Sequence, residues 1–393
     1  MTGVFDRLVG QAAVEAELTA AAESARSGAP GMTHSWLFTG PPGSGRSVAA
    51  LCFAAALQCE SPGVPGCGQC QACTTTMAGT HGDVRRVVPE GLSISVKEMR
   101  EIVGIASRRP STGNWLVVVV EDADRLTEGA SNALLKVVEE PPARTVFLLC
   151  APSTDPEDVS VTIRSRCRHV GLTTPTAEAI AQVLRETDGL DEESAHWAAS
   201  VGGGHVGRAR WLAKDADARA RRLKALQIPL AVLRPAGGYG AAADLITAAA
   251  EEAKLANADR NEQETEEMRT ALGAGGTGKG SGGALRGSAG VLKDLERRQK
   301  SRLTRSQRDA LDRALIDVAG LYRDALAIRL GASVPALHPD VEDRARQLAE
   351  HARPEGLLRA VESVMECREA LAGNVKPQVA VDAMVAGLEA ATR

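Results

Sequence analysis

The sequence predicts an α/β P-loop-type domain built on a parallel sheet, followed by a small helical lid and an all-helical C-terminal domain. Three observations carry this reading. An apolar run from His34 to Thr39 leads through a glycine loop, GPPGSGRS, into an Ala-rich apolar helix over 48–57, which is the order strand, loop, helix. The runs Leu116–Val120 and Val146–Cys150 are apolar throughout, as strands buried on both faces require, and SNALLKVVEE between them has helical spacing and stops at Pro141-Pro142. From about Asp215 onward the chain is rich in Ala, Leu, Arg and Glu at helical period.

Chain length agrees with this division, since 393 residues make two or three domains at about 150 residues each. The α/β domain is expected over 1–172 and the lid over 173–214, its short helices interrupted by Gly202-Gly203-Gly204. The all-helical domain takes 215–393. Within it, nine of the eighteen residues of 273–290 are Gly, and ordering them costs backbone entropy that no visible contact offsets. That segment is expected to be a disordered insert.

Composition excludes several functions. Lys+Arg 46 against Asp+Glu 50 gives a net charge of -4, so the chain is no basic wrapper of nucleic acid and any DNA contact is local. Aromatics at 3% leave no rows of stacking rings for single strands. No run approaches the roughly 18–20 apolar residues that span a bilayer, and MTGVFDRLVGQ has neither a basic n-region nor an apolar h-region. The expected compartment is the cytoplasm.

Four of the eight cysteines crowd together as Cys59, Cys67, Cys70 and Cys73, with Pro and Gly between them to turn the chain. Four thiolates at C-x7-C-x2-C-x2-C spacing fit a tetrahedral structural Zn²⁺ site, closed to substrate; the other reading is four reduced, unliganded thiols. Cys52, Cys150, Cys167 and Cys367 have no such company and read as small apolar residues.

The glycine loop has the spacing of a phosphate cradle. Gly40, Gly43 and Gly45 turn the backbone, and Ser47 holds the hydroxyl position that ligates Mg²⁺. The lysine position, however, is Arg46, a bulky fork in place of a point charge. After the VVVV strand stand Glu121 and Asp122, where a metal-binding Asp followed by a water-polarising Glu would be expected. The swap moves each carboxylate by about a methylene, and phosphoryl transfer depends on positioning. The site is therefore phosphate-shaped but chemically compromised. Another stretch with glycine and lysine at this spacing, GAGGTGKG over 273–280, lacks the Ser/Thr and any preceding strand, and is read as chance.

Two basic clusters remain. Arg164, Arg166 and Arg168 lie past the last expected strand and would alone be read as a solvated turn. Residues 293–308 carry seven basic residues and two acids, and a solvated face is favoured there over phosphate contact.

In this order the elements resemble the AAA+ clamp-loader subunits of bacterial DNA polymerase III, and within that family the delta prime branch. The residues that carry the resemblance are FDRLVGQ (5–11), GPPGSGRS, the four-cysteine insert, VVVVEDADRL, SNALLKVVEEPP (131–142) and IRSRC (163–167), together covering 1 to about 170. Beyond them GGGHVGRARWLA is similar to the lid motif, the rest matches only in character, and 273–290 departs from the better-known members.

The resemblance implies a hetero-pentamer with gamma/tau and delta subunits, joined by a collar of helical domains, that uses ATP to open the sliding clamp and place it on primed DNA. It implies that Arg166 projects as an arginine finger into the ATP site of a neighbouring gamma or tau subunit. It also aligns Arg46, Glu121-Asp122 and Gly207 with positions where active relatives carry Lys, Asp-Glu and a lid arginine. Arg208 stands beside Gly207. The expected chain thus has weak or absent ATPase activity of its own, with ATP/Mg²⁺ binding left open. The rivals are an active ATPase of the gamma/tau type and a zinc-stabilised DNA adaptor using 293–308.

Overall fold

The computed structural model describes residues 3–234, 236–272 and 281–392, the side chains of 281–289 apart. The chain forms two compact units, one running from the N-terminus to Pro89 together with Ser93–Arg210, the other comprising Glu90–Leu92 and Trp211 onward. The segment expected as a separate lid belongs, up to Arg210, to the first unit.

The first unit is built on five parallel strands, β1 (Ser35–Thr39), β2 (Val84–Val87), β3 (Leu116–Val120), β4 (Thr145–Ala151) and β5 (Arg168–Gly171), in the spatial order β2-β3-β4-β1-β5. Every residue of β1, β3 and β4 is buried. The side chains alternate between two cores, as the period of a strand demands. Trp36, Phe38, Val117, Val119, Val146, Leu148 and Cys150 join the helices Ala12–Ser27 and Arg46–Gln58 on one face. Leu37, Val118, Val120, Phe147 and Leu149 join Val96–Ala106 and Glu128–Glu139 on the other.

The edge strands β2 and β5 were not foreseen. VRRV carries only one fully buried residue, so it lacks the apolar run that marks a central strand. Because β5 begins at Arg168, the turn that carries Arg164 and Arg166 lies before the last strand rather than past it. A carboxylate secures the entry to β2: buried Asp83 accepts from the N–H groups of Ser111, Thr112 and Gly113 and from the hydroxyls of Ser111 and Thr112, at 2.6–2.9 Å. Burial alone would raise its pKa, but these five bonds outweigh it and hold the carboxyl well below the usual range.

The second unit is all helical, its core filled from Gly237–Ala271, Ser281–Arg329, Glu342–His351, Pro354–Ala372 and Pro377–Thr392. Of the expected disordered insert, 273–280 lies outside the described residues, and with it the GAGGTGKG stretch. Residues 281–290, however, form the first turns of the helix Ser281–Arg329, which corrects the expectation. Each Gly costs about 1 kcal/mol in a helix, but extending an existing helix adds a hydrogen bond per residue without a new nucleus.

The two long helices meet along a polar seam. Asn257 Nδ2 donates to Ser306 Oγ at 2.9 Å, Arg302 Nη1 to Asn261 Oδ1 at 2.9 Å, and Gln299 Nε2 to Thr265 Oγ1 at 3.2 Å. A buried ionic group forms elsewhere in this unit, where Arg222 donates to Asp340 at 2.6 and 3.0 Å and pairs with His338 Nδ1 at 2.8 Å. Asp324 accepts from the His338 and Leu337 N–H groups, tying the loop before Pro339 to the helix Ser281–Arg329. Such a network costs much in desolvation and tolerates no missing member.

Candidate functional site

The glycine loop leaves the carboxyl end of β1, beside the strand-order reversal where open α/β sheets bind ligands. Gly43 and Gly45 adopt φ of 88° and 93°, conformations costly for any residue with a Cβ. At Gly43 there is also no space, since an added Cβ would stand 2.6 Å from Cα and Cβ of His205. The residue that leads into the helix Val206–Lys214 therefore rests directly against the loop. Arg46 turns its Nη1 back to donate to the Gly40 carbonyl, so its guanidinium is engaged by the loop itself. Gln11 completes the frame, donating to the Thr173 carbonyl at 2.6 Å and accepting from the Thr173 N–H at 3.3 Å.

Glu121, at the end of β3, pairs with Arg86 of β2 at 2.6 and 2.8 Å. Asp122 precedes a short 3-10 turn over Ala123–Arg125, and Asp124 within that turn is pushed up by burial and by the charge of Asp122. Cys150 ends the apolar run of β4, the strand between the two motif strands. Burial drives its thiol far above the ordinary range, and the nearby charges of Glu121, Arg46 and Asp122 act on it less strongly. Cys150 is fully buried in the apolar core, as its reading as a small apolar residue expects, and strand order sets it between the two motif strands. His205 was missed: its Nδ1 accepts from the Arg208 N–H at 3.2 Å, and Gly207 lies in the helix just beyond it.

The three arginines of the 164–168 cluster have different partners. Arg164 donates to the Thr154 carbonyl at 2.8 Å. Arg168 pairs with Glu17 at 2.8 Å, donates to the Gly31 carbonyl at 3.0 Å, and lies over the Trp36 ring at 4.8 Å. Both stabilise the fold. Arg166 stays exposed, its Nη1 on the Thr162 carbonyl and Ser165 Oγ at 2.9 and 3.2 Å, its Nη2 on Glu139 at 2.6 Å.

The sulfurs of Cys59, Cys67, Cys70 and Cys73 all lie within 4.8 Å of one another. A tetrahedral ion with bonds of ~2.3 Å requires sulfurs ~3.8 Å apart, so the cluster can hold a metal ion. The Cys67, Cys70 and Cys73 N–H groups donate to the sulfurs of Cys59, Cys67 and Cys70 at 3.4–3.5 Å. Hydrogen bonds from Gln69 and Cys70 bring the Cys67 thiol down to about 7, toward the thiolate that a metal needs. The Val4 N–H donates to the Gly66 carbonyl at 2.8 Å, docking the knuckle on the N-terminal segment.

The basic run 293–308 is less solvated than expected. Arg302 is buried against Glu264 at 2.9 Å, and Arg308 donates to the Leu371 carbonyl at 2.8 Å and to Asn374 at 2.7 Å. Arg305 pairs with Asp309 at 3.6 Å. Three of the seven basic residues thus work as internal packing, and Lys293, Arg297, Arg298 and Lys300 remain exposed. Among the described residues no helix is long and apolar enough to cross a membrane.

A family model described as DNA polymerase III, delta subunit, matches residues 14–176, and one described as DNA polymerase III, delta subunit, C terminal, matches 307–380. The chain is 38% identical over 154 residues to DNA polymerase III subunit delta' of Pseudomonas aeruginosa, covering 38% of this chain and 46% of that one. It is 37% identical over 157 residues to subunit delta' of Escherichia coli, covering 39% and 46%. Against subunit gamma/tau of Mycobacterium tuberculosis it is 35% identical over 167 residues, covering 42% and 28%. The chain thus spans about half the length, or less, of these curated relatives.

Proposed function

We propose that this chain, matched by two DNA polymerase III delta subunit models and similar to curated delta' subunits, acts as the delta' member of a clamp loader. In this reading it joins gamma/tau and delta subunits in the cytoplasm, and the assembly opens the sliding clamp and places it on primed DNA. The chain itself turns over ATP weakly or not at all. Its contribution is Arg166, lent to the ATP site of an adjacent gamma or tau subunit, where a guanidinium stabilises charge on the transferred phosphoryl group.

The observation that carries this is the contrast between two guanidiniums. Arg46 is spent on its own loop, whereas Arg166 is presented at the surface. Glycine turns and Ser47 suit a nucleotide with Mg²⁺, but Glu121 is already paired with Arg86. Arg166→Ala in the reconstituted complex should remove most DNA-stimulated ATP turnover, by ~10³-fold at the served site, while assembly stays intact. Unchanged turnover would reject the finger. The similarity to gamma/tau favours one rival, an active ATPase, and steady-state phosphate release by the isolated chain, lost on Ser47→Ala, would support it instead.

The four thiolates are proposed to hold a structural Zn²⁺, which would supply folding energy rather than chemistry. About one ion per chain should appear on elemental analysis, and chelation should lower the thermal midpoint. A metal-free protein of equal stability would exclude it.

A further inference from the structure

We infer that Glu139 is the resting counter-ion of Arg166, holding the finger retracted until the terminal phosphate of a nucleoside triphosphate on an adjacent subunit competes for it. This rests on the finger reading above.

Glu139 is the last residue of the helix Glu128–Glu139, with Glu140 directly after it. Carboxylates at a helix C-terminus face the negative end of the macrodipole, and Lys136 is the only basic residue in that last turn. An acid there is disfavoured by local rules, and Arg166 Nη2 at 2.6 Å supplies its compensation from outside the helix. The other contacts of Arg166 lie on its own turn, at Thr162 and Ser165, so Glu139 ties it to a separate element.

The pair is also built to separate. Side-chain exposures of 37% for Arg166 and 43% for Glu139 leave it screened by water, and exposed pairs are weak. Arg168, of similar side-chain exposure at 38%, is held beyond its own strand by three contacts, the Glu17 carboxylate, the Gly31 carbonyl and the Trp36 ring, whereas the ion pair with Glu139 is what ties Arg166 beyond its own turn. A triphosphate carries several charges and matches the guanidinium fork, so it outcompetes a single carboxylate. Val161, in the short helix Val161–Arg164 just before Arg166, is 51% exposed.

Steady-state ATPase of the reconstituted complex tests this with Glu139→Gln, Glu139→Asp and Arg166→Ala in parallel. Glu139→Gln should lower the KM for ATP by about two- to five-fold at unchanged kcat, and raise DNA-independent turnover by a similar factor. Both differences should shrink as NaCl rises, because screening removes the competing charge, and Glu139→Asp should restore the wild-type KM. A KM for Glu139→Gln equal to wild type, with Arg166→Ala still impaired, overturns the resting pair and leaves the finger standing. A fall in kcat for Glu139→Gln overturns it as well, because Glu139 would then position the finger for reaction. Unchanged turnover in Arg166→Ala overturns the finger, and this inference with it.

Discussion

The glycine loop after β1 and the arginine turn before β5 belong to strands that are hydrogen-bonded neighbours, yet they spend the same functional group in opposite ways. In the loop, Arg46 is folded back on the Gly40 carbonyl and His205 rests on Gly43, so the guanidinium and the space beside Gly43 are taken up within the unit. In the turn, Arg166 is left at the surface on an exposed carboxylate. What a guanidinium can do for another molecule depends on what has already claimed it inside its own chain.

Swapping the two removals breaks or sharpens that contrast. The largest expected effect is the ~10³-fold loss at the neighbouring site in Arg166→Ala, with a thermal midpoint close to wild type. Arg46→Ala should leave complex turnover within about two-fold, and if it is the more damaging of the two in ATPase assays, the contrast is reversed. Next comes Gly43→Ala. The φ of 88° and the contact with His205 should cost about 1–3 kcal/mol of stability in thermal or urea unfolding. No loss would mean that the lid residue yields.

Carboxylates repeat the pattern at smaller scale. Glu139 faces outward, whereas Asp83 is buried under five donors. With its folded pKa depressed, Asp83 contributes in full above the ordinary carboxylate range near pH ~4, and that contribution is lost as pH falls through the folded value. Asp83→Asn should therefore cost about 1–3 kcal/mol at neutral pH and flatten the acid side of the stability curve, measured by urea unfolding between pH 3 and 7. An unchanged acid slope would assign the pH dependence to other groups.

The sequence reveals what is local. Apolar strands, the glycine loop, the helix ending at Pro141 and the cysteine spacing are written within windows of a few residues. What escapes it is pairing at a distance. His205 meets Gly43 and Glu121 finds Arg86 only once the chain has folded, and nothing near Arg302 announces Glu264. The same limit made 293–308 resemble a solvated run, because charge is visible in a sequence and its partner is not. Glycine content misled at 281–290 for the converse reason: a composition rule weighs each residue alone, while a helix already under way does not.

The seam between Gly237–Ala271 and Ser281–Arg329 has a mechanical consequence. An oily interface would let two such rods slip past each other by a turn, ~5.4 Å, at modest cost. Here the polar rungs are matched in register, so a shift would strand Asn257, Asn261 and Arg302 together. A push delivered at one end of this pair travels along it as displacement and is not dissipated as shear.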